Sequence, residues 1–169
     1  MKSTPAYILR NCAFFADNDV KVGQVSEMEI PMPKEKTDKI RNAGMIKDRT
    51  IGMGYELDEL TFKMTGMDPA SHILMTGKPG EEKTYMATGA LVDEDGTVHS
   101  AVFTVRGRMI EVGNVTWKPG DKSDSEFKVT PHYAKLEIDG APIFEIDDFN
   151  YSVNGVSQTG DINAALLIG

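Results

Sequence analysis

Apolar and polar residues alternate with a period of two along much of the chain, the spacing of a strand with one buried face. Ala101, Phe103 and Val105 interleave with Val102, Thr104 and Arg106. Leu60, Phe62 and Met64 interleave with Thr61, Lys63 and Thr65, and Val20, Val22, Met28 and Ile30 make two shorter runs around Gly23. Phe127 and Val129 alternate with Lys128 and Thr130, and the apolar phase then moves to Ala134, Leu136 and Ile138. Pro131 lies between the two phases, which predicts a bulge or bend there. Between the runs stand explicit turns: Asp93-Glu94-Asp95-Gly96, Asp139-Gly140 and Asn154-Gly155, whose residues accept the positive φ of tight hairpins. Pro119-Gly120 suits a type II turn.

Several short strands joined in this way predict a mainly β fold, a sandwich or barrel of two packed antiparallel sheets. One short helix is expected over 68–76. Asp68 is a good N-cap, Pro69 suits the first helical position, and Gly77 suits the stop. A weaker helical signal covers Asp161–Leu167. The stretch Pro31–Gly54 carries two prolines and no periodic apolar face, so it is expected as a long loop. With no repeat or linker, residues 1–169 read as one domain.

Charge changes this picture. The net charge of −8 and a pI near 4.9 argue against a module that grips nucleic-acid phosphates. The charge is also uneven. From Lys34 to Arg49, six basic residues stand against three acidic ones, a net of +3, which leaves −11 for the rest. After Lys135 there is no basic residue, and the tail carries −6. An acidic body with a basic loop suits self-association through complementary surfaces; a solvated, solubilising surface explains the same numbers. A single cysteine, Cys12, leaves no intrachain disulfide and fits a reducing compartment. No apolar run is long enough to cross a membrane as a helix, and the start of the chain lacks the apolar core of a secretion signal.

Candidate chemistry is sparse. His72, His99, His132 and Cys12 have no zinc-motif spacing and read as surface or packing residues. No G-x-S-x-G elbow is present, and neither Gly52-Met53-Gly54 nor the 77–80 region is a phosphate loop. Asp93–Gly96 lacks the downstream ligands of a calcium loop. Glu145 and Asp147 share a strand face while Asp148 points away, so no carboxylate pair converges with a third partner. Asn114-Val115-Thr116 matches a glycosylation sequon and reads as incidental. Ten methionines suit core filling and adaptable interfaces equally. No catalytic, cofactor or metal site is expected, and open strand edges with a long charged loop point toward an assembly.

A resemblance sharpens that expectation. Arg41-Asn42-Ala43-Gly44-Met45, Met53-Gly54-x-x-Leu57, Arg106-Gly107-Arg108 and Trp117–Lys122 are followed by Tyr133-x-Lys135-Leu136-x-Ile138-Asp139-Gly140, Glu145-Ile146-Asp147 and Val153–Val156. In that order and spacing the chain resembles the major tail tube proteins of contractile-tailed phages, the group that includes P2-like phages and R-type pyocins. The family's arginine near the C-terminus has no counterpart in Gly160–Gly169. The resemblance implies a two-sheet fold with a flanking helix. It also implies hexameric rings stacked into a tube and no enzymatic activity. The implied partners are further copies of the chain, a tail sheath protein, a tape-measure protein and a baseplate initiator, with DNA passing through the lumen in a phage. The implied location is the virion tail or tailocin particle, after assembly in the bacterial cytoplasm. Within this frame the 31–54 loop, with Lys34, Lys36, Lys39, Arg41, Met45, Lys47 and Arg49, is expected to reach a neighbouring subunit or ring. Glu56, Asp58, Glu145 and Asp147 are the candidates for an acidic lumen. The rival readings are a type VI secretion tube protein of the same fold, which the Trp117–Lys122 and Tyr133–Gly140 patterns disfavour, and a standalone β-sandwich binding module, which would need an aromatic platform that one Trp and five Tyr do not build.

Overall fold

The computed structural model describes residues 6–74 and 78–168. Along the chain these form β1 (Ile8–Ala16), β2 (Asp19–Val20), β3 (Val25–Glu29), β4 (Lys34–Ile40), β5 (Arg49–Glu56), β6 (Leu60–Met64) and helix α1 (Pro69–His72). There follow β7 (Lys83–Val92), β8 (Val98–Val112), β9 (Ser125–Ile138), β10 (Ala141–Asp147), β11 (Tyr151–Val153), β12 (Val156–Ser157) and helix α2 (Gly160–Ala165). One antiparallel sheet runs in the order β12-β11-β10-β9-β8-β7-β1-β2, and β6 followed by β3 attaches to the side of β9.

The two expected layers are therefore one sheet folded over itself. In β9, Ser125–Val129 pair with β6 and Tyr133–Ile138 pair with β10, so a single strand serves both layers. The fold line is where the apolar phase changes. Arg106 is opposite Tyr133 and Gly107 is opposite Pro131, which leaves His132 as the extra residue of a bulge. The bend seen in the sequence at Pro131 is thus present, and Gly107 is its other half: a Cβ at 107 would overlap the carbonyl oxygen of Thr130. Phe127 and Val129 before the bulge, and Ala134 and Leu136 after it, all face the core. The layers meet through aromatic rings, Phe14 of one against Phe62 of the other at 4.5 Å between centroids, and Phe62 stacks on its cross-strand partner Phe127 at 4.9 Å. Burying such rings is the main stabilising term of a sandwich.

The Asp-Gly and Asn-Gly turns form as expected. Asp139 and Gly140 have φ of 53° and 79°, and Asn154 and Gly155 have 52° and 78°, the double positive φ of a type I′ hairpin. Helix α1 is a single turn. Asp68 accepts hydrogen bonds from Ser71 Oγ (2.8 Å) and Lys21 Nζ (2.7 Å), and Lys21, only 3% exposed, also reaches Asp19 at 2.5 Å. Burial disfavours a charged Lys21, but its bonds to the two carboxylates outweigh this and hold its pKa above the usual lysine value. Met75, Thr76 and Gly77, the expected end of this helix, lie outside the described residues. The weaker C-terminal signal is real as α2, so among the described residues two short helices accompany the sheet where one was expected.

The largest departure is at 31–54. The expected loop is a hairpin of its own: β4 pairs with β5 from Lys34 opposite Glu56 to Ile40 opposite Arg49, separate from the main sheet. Its strands escape a hydrophobicity reading because Lys34, Glu35, Lys36, Thr37, Asp38 and Lys39 are polar on both faces. The alternation that betrays a half-buried strand requires a buried face, and this hairpin has none.

Candidate functional site

The β4–β5 hairpin is an arm carrying almost every candidate contact residue. Lys34, Lys36 and Lys39 lie on β4, Arg49 opens β5, and Arg41, Met45 and Lys47 form the tip. All are exposed except Met45, which is half-buried. The tip closes on Asn42, whose carbonyl accepts from Met45 N–H at 3.0 Å, while Gly44 takes φ of +87°. Arg41 Nε donates to the Met45 carbonyl at 3.4 Å. Near the root, Glu35 is opposite Tyr55 and Thr37 is opposite Gly52, so β5 carries an extra residue within Gly52-Met53-Gly54. The glycines fit that bulge: Gly54 has φ of +122°, and the Glu35 carboxylate fills the space a Cβ at 52 would need. Two contacts fasten the root to the body. Tyr55 packs on Tyr151 with centroids 4.6 Å apart, and Lys34 pairs with Asp58 at 3.1 Å. Among the described residues Lys36, Lys39, Lys47 and Arg49 make no ion pair. A lone two-stranded hairpin in water is at best marginally stable.

The four acidic lumen candidates fall in two places. Glu56 and Asp58 sit at the arm root, both exposed. Glu145 and Asp147 project from β10 onto the outer face of the main sheet, level with Lys135 and Tyr133 respectively. That outer face is mixed rather than purely acidic. Lys135 pairs with Glu137 at 2.7 Å, Arg106 stacks over the Tyr133 ring at 4.9 Å, and Tyr133 Oη donates to Glu145 at 3.1 Å. Desolvation, followed by the Glu145 carboxylate, raises the Tyr133 pKa. Asp147 accepts from the Phe149 and Asn150 N–H groups at 2.7 Å each, so it also shapes the turn.

The histidines do structural work. His72 lies edge-on to Phe127, at 5.1 Å between centroids, and 3.4 Å from the buried Ser125 hydroxyl. His132 occupies the bulge. His99 is held between two turns: its Nε2 lies 2.9 Å from Asp93 and its Nδ1 2.5 Å from Asp139. The Tyr7 ring stacks on it at 4.3 Å, and Tyr7 N–H donates to Asp93. The bonds from Asp93 and then Asp139 raise the His99 pKa, and its imidazolium in turn lowers both carboxylates. This clamp was invisible in sequence because its members are 40 or more residues apart or sit in ordinary turns. Among the described residues no three His, Cys, Asp or Glu side chains are grouped to hold a metal ion.

A bent antiparallel sandwich with open strand edges and an exposed arm has the surfaces of a structural, assembly-forming class of β protein. The comparisons with known proteins agree. The family model described as phage tail tube protein FII matches residues 6–166, and the chain belongs to that family. It is 27% identical over 150 residues to the tail tube protein of Escherichia phage P2, covering 80% of this chain and 83% of that one. It is 24% identical over 143 residues to the major tail tube protein of Serratia phage KSP20, covering 85% and 84%. The fold is similar to that of a chain in the cryo-EM structure of the anti-feeding prophage baseplate, six-fold symmetrised, with a TM-score of 0.53 at 12% identity over 80% of this chain and 97% of that one. The chain's role is that of a structural tail tube component of a virion tail, in a family that is not one of enzymes.

Proposed function

We propose that this chain builds the inner tube of a contractile tail as hexameric rings stacked end to end, each ring closed by head-to-tail contacts between copies. The observation that carries this reading is the exposed arm, a hairpin with no core of its own whose Lys34–Arg49 stretch carries a net charge of +3 against −11 for the rest of the chain. An arm of this kind is completed by an acidic neighbour. Open edges support the same reading. Ile8–Ala13 of β1 lie beyond the two residues that pair with β2, so a neighbour's strand has backbone groups to meet. A contact between two different patches closes a ring when its rotation allows and leaves the ring faces free to stack. The similar fold in a six-fold symmetrised baseplate favours six copies.

On this reading the outer face of β8–β10, with Glu137, Glu145 and Asp147 against Arg106 and Lys135, faces the bore. Its slight excess of carboxylates lets DNA slide past without being gripped. Glu56 and Asp58 belong instead to the contact at the arm root. The partners are further copies, a surrounding sheath protein, a tape-measure protein in the bore during assembly and a baseplate initiator, with assembly in the bacterial cytoplasm. Electron microscopy of the purified protein at rising concentration tests the reading. Rings and tubes with six-fold symmetry and Glu145 lining the bore are expected. A protein that stays monomeric at high concentration overturns the assembly, and a bore lined by another face overturns the lumen assignment.

A further inference from the structure

The start of β1 is held differently from the rest of the strand. Ile8 and Leu9 pair with Val92 and Leu91, the ladder then breaks, and pairing resumes at Asn11 opposite Ala90. Arg10 is the extra residue of that bulge, a point at which a strand bends readily. The residues before it bury little: Tyr7 is 50% and Leu9 58% exposed. Tyr7 also takes φ of +57°, a left-handed backbone that a residue with a Cβ avoids unless its surroundings hold it there.

The His99 cluster holds it. One oxygen of Asp93 accepts from Tyr7 N–H at 2.9 Å, and the other lies 2.9 Å from His99 Nε2. His99 Nδ1 lies 2.5 Å from Asp139, whose second oxygen accepts from Ser100 N–H at 3.0 Å, and the Tyr7 ring stacks on the imidazole. Both ring nitrogens therefore face carboxylate oxygens, and only the doubly protonated ring donates to both. A neutral ring turns a lone pair toward one carboxylate and loses the attraction of a cation for the Tyr7 ring face. The titratable groups facing His99 are Tyr7 before β1, Asp93 and Asp95 in the β7–β8 turn, and Asp139 in the β9–β10 turn. By alternation His99 shares the inner face of β8 with Ala101 and Phe103. The cluster thus stands at the end of an apolar groove on that face, where Leu9, Leu91 and Ile138 line it above a floor of Phe103 and Leu136. Leu9 rests over Gly89, close enough for its Cδ1 to lie 3.0 Å from where a Cβ would stand.

We propose that Tyr7–Leu9 form a flap over the end of this groove, hinged at Arg10 and latched by doubly protonated His99, and that the flap opens when the ring gives up a proton. The bonds from Asp93 and then Asp139 place the His99 pKa above its ordinary value, so the latch is complete below about pH 6.5 and is lost as pH rises through the folded value. An open flap uncovers Gly89 and Leu91 on the groove wall. Access to the apolar inner face is thereby tied to proton concentration.

Hydrogen exchange of the full chain, followed by mass spectrometry and corrected for the intrinsic rate at each pH, tests the latch. Protection of the amides of residues 7–9 is expected to fall about tenfold or more between about pH 6 and 9, while that of Phe103–Met109 holds. Asp139→Asn keeps the turn, since Asn-Gly suits the same type I′ hairpin. It removes one of the two charges that hold the proton on His99, so the fall is expected to move to lower pH. His99→Gln is expected to leave residues 7–9 weakly protected throughout, with no dependence on pH. Protection that is flat with pH in the unaltered protein overturns the latch. So does a fall that Phe103–Met109 share, one that Asp139→Asn leaves in place, or one that survives in His99→Gln. Should His99→Gln fail to fold, the shift in Asp139→Asn decides alone.

Discussion

At the scale of single residues, the fold depends on a few positions where one atom decides. Gly107 is one, because the Thr130 carbonyl occupies the space a methyl group would need. Gly107→Ala is expected to destabilise the fold by roughly 1–3 kcal/mol through forced displacement of the β8–β9 bend, seen as a lower urea midpoint with an unchanged slope. His99 is another. Its raised pKa means that its contribution is complete below about pH 6.5 and is lost as pH rises through the folded value. Asp93 and Asp139, being lowered, contribute fully above about pH 4 and lose that contribution as pH falls through their folded values. The clamp is therefore strongest between about pH 4 and 6.5. The melting-temperature gap between the unaltered protein and His99→Gln is expected to be largest near about pH 5.5 and to shrink toward about pH 9. A gap independent of pH contradicts the clamp.

At the scale of elements, core and arm obey different rules. Core strands carry one apolar face and were legible as such: Leu60, Phe62 and Met64 are buried on alternate positions as the pattern requires. The arm carries its meaning in charge and exposure, which local periodicity does not register. This separation makes a prediction about stability and assembly together. Changing Lys36, Lys39 and Arg41 to Glu turns the net charge of the Lys34–Arg49 stretch from +3 to −3. Since none of the three contributes to the core, thermal stability of the free subunit is expected to change by no more than about 0.5 kcal/mol. Tube formation is expected to fail, and sedimentation beside a thermal melt reads both. Normal tubes from this variant over a range of salt would show that charge does not hold the arm in place.

At the scale of the whole molecule, the net charge of −8 divides into +3 over Lys34–Arg49, on the exposed hairpin, and −11 over the rest, and the core opens on one side into an apolar groove lined by Leu9, Met28, Phe103 and Leu136. The sequence by itself determined the mainly β class, the hairpin turns, the bend at Pro131 and the two helix starts, because each rests on chemistry within a few neighbouring residues such as alternation and φ preference, while the order and spacing of its motifs carried the resemblance to the family. Only the tertiary structure decided that both layers are one sheet folded at Gly107 and Pro131, that the 31–54 segment is a hairpin, that His99 joins two distant turns, and that the core opens into a groove. The physical reason is common to all four. They depend on which surfaces are left without a partner once the chain has packed, and that follows from contacts between residues far apart in sequence rather than from the local pattern along it.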